Sequence, residues 1–151
     1  MSKRILLLII VFFLLSCKNY RESNKLISFL SEYNVTLNTC KVIIIIPAEA
    51  CSSCIKLSFE YIKGINSDYL LVLSSFYGKS INYLIENYCL DKTKLLIDKK
   101  NMASALWLIE PTGPTIYLVR NKRIYKKYEA EKILKNPEIF IEINTFLTDC
   151  K

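Results

Sequence analysis

Two spacings of apolar residues alternate along the chain and predict most of its elements. Lys41 to Ile46 is rich in β-branched residues and apolar at both odd and even positions, the pattern of a strand covered on both faces, and Pro47 stops it. Tyr69 to Ser74 reads as a second buried strand, and Leu95 to Ile97 as a short extended piece before Asp98. Between these the spacing turns helical. Leu26, Ile27, Phe29, Leu30 and Tyr33 share one helix face, with Ser23 or Asn24 as N-cap. Ile55, Phe59 and Ile62 recur at four and three residues, and Gly64 follows as a left-handed C-cap. Ser80 caps a helix reaching about Cys89, with Ile81, Leu84, Ile85 and Tyr88 turned inward, and Asn101 to Leu106 carries a shorter helical pattern.

The C-terminal third has clear punctuation. Thr115 to Arg120 and Arg123 to Tyr128 are extended runs joined by Asn121-Lys122, a connection suited to a hairpin. Asn136-Pro137-Glu138 then supplies an N-cap, a proline at the first helical position and an acid in the first turn. The helix after it buries Ile139, Phe140, Ile143, Phe146 and Leu147. Strands alternating with helices predict an α/β domain, and no repeat or low-complexity tract interrupts it.

The N-terminus belongs to a different pattern. Met1 to Arg4 is positively charged, and Ile5 to Leu15 is an unbroken apolar run, shorter than the roughly 20 residues a spanning helix needs. A signal peptide over 1–16 is expected, with an uncleaved anchor as the competing reading. Leu14-Leu15-Ser16-Cys17 resembles a bacterial lipobox, which implies lipidation of Cys17, a tether over 17–25 and a domain over 26–151 in the cell envelope, facing the periplasm. Loss of Lys3 and Arg4 with the signal lowers the formal charge from +7 to +5. The remaining basic residues are scattered, densest from Arg120 to Lys127, so nucleic acid is not an expected partner.

Histidine is absent, which removes the usual base of a Cys-His hydrolase and the commonest nitrogen ligand of zinc. Cysteine is not. With Cys17 lipidated, Cys40, Cys51, Cys54, Cys89 and Cys150 remain, an odd number that leaves at least one thiol outside any intramolecular bridge. Cys40 reads as a core thiol at the start of a strand, Cys89 as a small apolar side chain ending a helix, and Cys150 as a free or intermolecular thiol. Cys51-Ser52-Ser53-Cys54 falls between the first strand and the helix of Ile55 to Ile62. There a helix N-terminus favours the anion of the first cysteine, and two intervening residues in a helical turn bring the second within reach.

Ala48-Glu49-Ala50-Cys51-Ser52-Ser53-Cys54 lines up with the Ala-Glu-Trp-Cys-x-x-Cys of the thioredoxin-like superfamily, and Gly113-Pro114-Thr115-Ile116-Tyr117-Leu118 with its Pro-Thr strand opening. The resemblance covers Lys41 to Leu147. The material between the second strand and Pro114, including Leu96-Ile97-Asp98, resembles the redoxin or TlpA-like membrane-tethered reductases. It implies a thioredoxin-like fold, with a central mixed sheet of about four to five strands flanked by helices on both faces. It further implies Cys51 as nucleophile, Cys54 as resolving thiol, and Gly113 with a cis Pro114 as the substrate-facing loop. The expected activity is thiol:disulfide exchange with protein substrates, without cofactor or metal, recharged by a transmembrane electron donor.

Departures from the family pattern keep other readings open. Ala50 stands where tryptophan is usual and removes an aromatic wall, while Ile45 stands where thioredoxin buries a carboxylate. Glu49 and Glu110 are the acids that could substitute. The alternatives are a non-catalytic lipoprotein of this fold with a structural Cys51–Cys54 bridge, a metal pair drawing on further cysteines or carboxylates, and a peroxidase. The last lacks the expected threonine, since Ala48 stands three residues before Cys51.

Overall fold

The computed structural model describes residues 20–37, 40–65 and 69–149. The signal segment 1–16, Cys17 and Cys150 lie outside the described residues. The first helix, α1, covers residues 20–32. There follow β1 (Cys40–Pro47), α2 (Ser52–Ile62), β2 (Tyr69–Ser74), α3 (Gly78–Tyr88), β3 (Leu95–Asp98), α4 (Met102–Ala105), β4 (Thr115–Arg120), β5 (Arg123–Tyr128), α5 (Ala130–Lys135) and α6 (Ile139–Thr148). A single turn of 3-10 helix, Lys92–Lys94, leads into β3.

The strands form one five-stranded sheet in the order β3-β2-β1-β4-β5. β1 runs parallel to β2, and β2 to β3, whereas β4 is antiparallel to both β1 and β5. The unbroken apolar run of β1 is explained by its central place. Val42, Ile44 and Ile46 pack against Ile55 and Phe59 of α2, Leu84 of α3 and Ile143 of α6. Ile43 and Ile45 face the opposite layer, where Leu26, Phe29 and Leu30 of α1 and Ala103 of α4 cover the sheet. Strand order, strand direction and a Cys-x-x-Cys helix leaving the central strand make this a thioredoxin-like α/β fold.

Several boundaries depart from the sequence pattern for identifiable reasons. The polar segment expected as tether is already helical at Tyr20, so Ser23 and Asn24 lie inside α1 and cap nothing. Its polar side chains have partners on the β4–β5 hairpin. Ser23 Oγ accepts from the Ile124 N–H at 3.0 Å, and Glu22 pairs with Lys127 at 2.9 Å. Gly64 does not adopt a left-handed cap; the left-handed residues that follow helices are Asn34 after α1, Cys89 after α3 and Trp107 after α4, with φ 57°, 49° and 60°. Ser80 lies inside α3, which starts from Tyr77, and it is Ser75 Oγ that accepts the Tyr77 N–H at 2.7 Å. α5, with six residues, is too short to show a periodic apolar pattern in the sequence. The hairpin is as expected: Asn121 and Lys122 both take positive φ, 50° and 61°, as a type I′ turn requires.

Asp98 organises the turn from β3 into α4. Fully buried, its carboxylate accepts from the Tyr33 hydroxyl (2.6 Å), the Ser74 hydroxyl (2.7 Å) and the N–H groups of Met102 (3.0 Å) and Ala103 (2.8 Å). Burial, then the Asp98 hydrogen bond, pushes the Tyr33 phenol well above its usual range. Thus one side chain ties α1, β2, β3 and α4 together.

The remaining cysteines differ from expectation. Cys40 is disulfide-bonded rather than a core thiol, its partner lying outside the described residues. Cys89 is the free cysteine among the described residues, and it is exposed rather than packed.

Candidate active site

The β1–α2 connection is short because the sheet directs it. The Ala48 N–H donates to the Ser74 carbonyl at 2.9 Å, continuing the β1–β2 ladder past Pro47, and the Ala50 N–H closes a turn onto the Pro47 carbonyl at 3.1 Å. Cys51 consequently becomes the N-cap of α2, with extended backbone angles, and Cys54 falls in the first turn. The two are joined as a disulfide with Cα atoms 5.2 Å apart. Cys51 is exposed and Cys54 half-buried.

Cys51 Sγ sits where an anion is favoured. The Cys54 N–H donates to it at 3.2 Å and Ser53 Oγ lies 3.4 Å away. These are an unsatisfied donor of the helix start and a hydroxyl able to donate, both aimed at one sulfur. Ser53 was not singled out in the sequence; a serine between two cysteines signals nothing until the N-cap geometry is known. Behind the pair, Ser58 Oγ donates to the Cys54 carbonyl at 2.6 Å.

The loop before β4 reaches the same place. A Cβ on Gly113 would lie 3.9 Å from Cys54 Cβ and only 2.7 Å from Ala130 Cβ, so the loop is wedged between Cys54 and the start of α5. Gly113 and Cys54 are thus brought together as the motifs implied. The isomer is not: no peptide bond among the described residues is cis, and Gly113–Pro114 is trans. The trans form is intrinsically favoured even before proline, and the missing side chain at Gly113 gives the loop its close approach without the reversal a cis bond provides. Gly113→Ala should cost about 1–3 kcal/mol through this overlap. Combining it with Ala130→Gly should recover part of the loss in a urea titration, and a neutral Gly113→Ala would contradict the packing described.

The acids fall into distinct settings. Ile45 is fully buried on the α1 side of the sheet, so no carboxylate occupies that position. Opposite it across β1–β4, Thr115 is buried and its Oγ1 finds no hydrogen-bond partner among the described residues. Glu49 is exposed and receives the Ser75 hydroxyl. Glu110 shares a hydrogen bond with Glu129; burial first, then the charge of Glu129, pushes it above the usual carboxylate range. Glu129 is held below that range by its hydrogen bond from Lys127, 3.0 Å away. Burial alone would depress Lys127, but the hydrogen bonds and charges of Glu22 and Glu129 together raise it.

Among the described residues no group of three His, Cys, Asp or Glu side chains is arranged to hold a metal ion, and no helix is long and apolar enough to cross a membrane. What the site brings together is a pair of sulfurs at a helix start, one open to solvent and one against a glycine-proline loop.

No protein-family model matches the chain, and no curated protein does. Among solved structures it is similar to a thioredoxin-like protein from Parabacteroides distasonis ATCC 8503, with 12% identity and a TM-score of 0.48, over 71% of this chain and 83% of that one.

Proposed function

We propose that this chain is an envelope thiol:disulfide oxidoreductase, with Cys51 the attacking thiolate and Cys54 the resolving thiol. The observation that carries the reading is the placement of Cys51 Sγ at the α2 N-cap, exposed, with the Cys54 N–H donating to it. A substrate disulfide would be attacked at one sulfur by Cys51, releasing its other sulfur as a thiolate. Cys54 would then attack Cys51 Sγ, closing the Cys51–Cys54 bond and freeing the second thiolate, so that two electrons leave the pair and the substrate is reduced.

Tethering through a lipid on Cys17, on the periplasmic side of the envelope, suits a TlpA-like reductase that a transmembrane donor must recharge after each turnover. No further cofactor is called for by this chemistry. The chain should accelerate insulin reduction by dithiothreitol above the rate of dithiothreitol alone; no acceleration would sink the enzymatic reading and favour a binding lipoprotein with a structural bridge. The direction follows from equilibration against glutathione buffers. A potential near −270 mV, about that of thioredoxin, supports a reductase, and one near −120 mV an oxidant.

A further inference from the structure

Beside Cys51 lies a cavity of about 440 Å³, whose lining includes Ala48, Ala50, Ser52, Ile55, Tyr83 and Leu84. Its inner surface is apolar, since Ala48, Ile55 and Leu84 are buried core residues. Its outer wall comes from α3: Tyr83 stands 66% exposed, Tyr88 is braced against Phe59 at a ring separation of 4.3 Å, and the polar Lys79 and Ser80 complete the rim one turn earlier. Phe76 and Tyr77, 69% and 67% exposed, extend this surface along the β2–α3 loop. That loop is tied to the cysteine loop by the Ser75 hydroxyl, which bonds Glu49 and accepts the Tyr77 N–H. The aromatic wall that Ala50 fails to provide is supplied from α3, and the small side chain at 50 leaves the space in front of it open.

We infer that this cavity receives a bulky apolar side chain flanking the reactive cysteine of a polypeptide substrate. The occupant follows from the position. Ala50 and Ser52 are the chain neighbours of Cys51, so a substrate sulfur bonded to Cys51 carries its own flanking residues to the mouth of the cavity. The apolar floor and aromatic wall select among those residues for large apolar ones, whose transfer from water supplies the preference. The volume lies within the roughly 300–1,000 Å³ range of small-ligand pockets, so one bulky side chain fits with room to spare. This inference rests on the oxidoreductase reading above and names the substrate class of that same site.

The test uses the full chain with Cys89→Ser, which removes the exposed free thiol, its Cys51–Cys54 pair reduced, and two model peptides, each with one cysteine in mixed disulfide with 5-thio-2-nitrobenzoate. In one peptide the cysteine is flanked by phenylalanines and in the other by glycines. Cys51 attacks the peptide sulfur and displaces the coloured thiolate; Cys54 then forms the intramolecular disulfide and releases the peptide thiol. The phenylalanine peptide should react about tenfold faster, equivalent to ~1.4 kcal/mol. Ala50→Trp, which fills the cavity, should bring the ratio close to one, and Tyr83→Ala, at an exposed position that folding does not depend on, should lower it. Because a ratio is read, a general slowing of either variant cancels. Equal rates for the two peptides in the Cys89→Ser chain would overturn the inference while leaving the exchange chemistry intact. Failure to react with either peptide, or with free 5,5′-dithiobis(2-nitrobenzoate), would overturn both.

Discussion

Replacing Cys51 by serine should reduce insulin reduction to the dithiothreitol background, while replacing Cys54 should stop turnover at an isolable mixed disulfide. The asymmetry follows from burial and from the helix start. Cys51 Sγ is exposed and faces the Cys54 N–H, whereas Cys54 is half-buried beside Gly113 and Ala130. A thiol at its ordinary pKa of about 8.5 is only a few per cent ionised at neutral pH, and a downward shift of about two units makes it mostly thiolate. Serine at 51 has no comparable ionisation, so no first step occurs. Serine at 54 leaves Cys51 able to attack and removes the atom that would release the adduct. Non-reducing electrophoresis of Cys54→Ser with a disulfide substrate should show a covalent complex that dithiothreitol dissolves, absent from Cys51→Ser. Trapping by Cys51→Ser instead would reverse the roles.

The largest effect on stability should come from Asp98→Ala. Removal of the carboxylate strands the buried Ala103 N–H and takes the acceptor from the part-buried Tyr33 hydroxyl and Met102 N–H, while the Ser74 hydroxyl keeps Asn101 Oδ1 at 2.8 Å. A buried donor left without a partner costs about 1–3 kcal/mol and the part-buried ones less, and the space left by the carboxylate adds to this, so a total of about 3–5 kcal/mol is expected. Against a typical reserve of about 5–15 kcal/mol this is a large share, and the melting temperature should fall by roughly 10–20 °C. Thermal unfolding followed by circular dichroism measures it; a fall of only a degree or two would mean that Asp98 does not hold α4 to the sheet. Tyr33→Phe, which removes one donor with its partner's need still met by three others, should cost far less.

The central sheet was legible because its strands announce themselves. Lys41 to Ile46, Tyr69 to Ser74 and the two arms of the hairpin are dense in β-branched or alternating residues, and Asn121-Lys122 is a turn whose chemistry is local. The Cys51/Cys54 pair was equally plain, because a strand ending at proline and a helix opening on cysteines is a pattern within one short stretch. What stayed hidden depends on contacts across the chain. Residues 20–25 are helical, where a tether was expected, and Glu22 and Ser23 meet the hairpin about a hundred residues away, at sequence separation 101 for Ser23 and Ile124. The cavity beside Ala50 exists only because α3 brings Tyr83 and Tyr88 to it, and the close approach of Gly113 to Ala130 joins the loop before β4 to α5, which neither stretch shows alone. A motif drawn from relatives carried the expectation of a cis bond there; nothing in the local residues required it.

The bridge at Cys40 gives the chain a division of labour along a single strand. β1 begins with Cys40 and points its other end at Cys51, with roughly 23 Å of extended backbone between Cys40 and Pro47. Under the exchange reaction proposed above, a substrate sulfur bonded to Cys51 is therefore held a full strand's length from the sulfur of Cys40, so the two ends of β1 carry disulfides that do not share a partner.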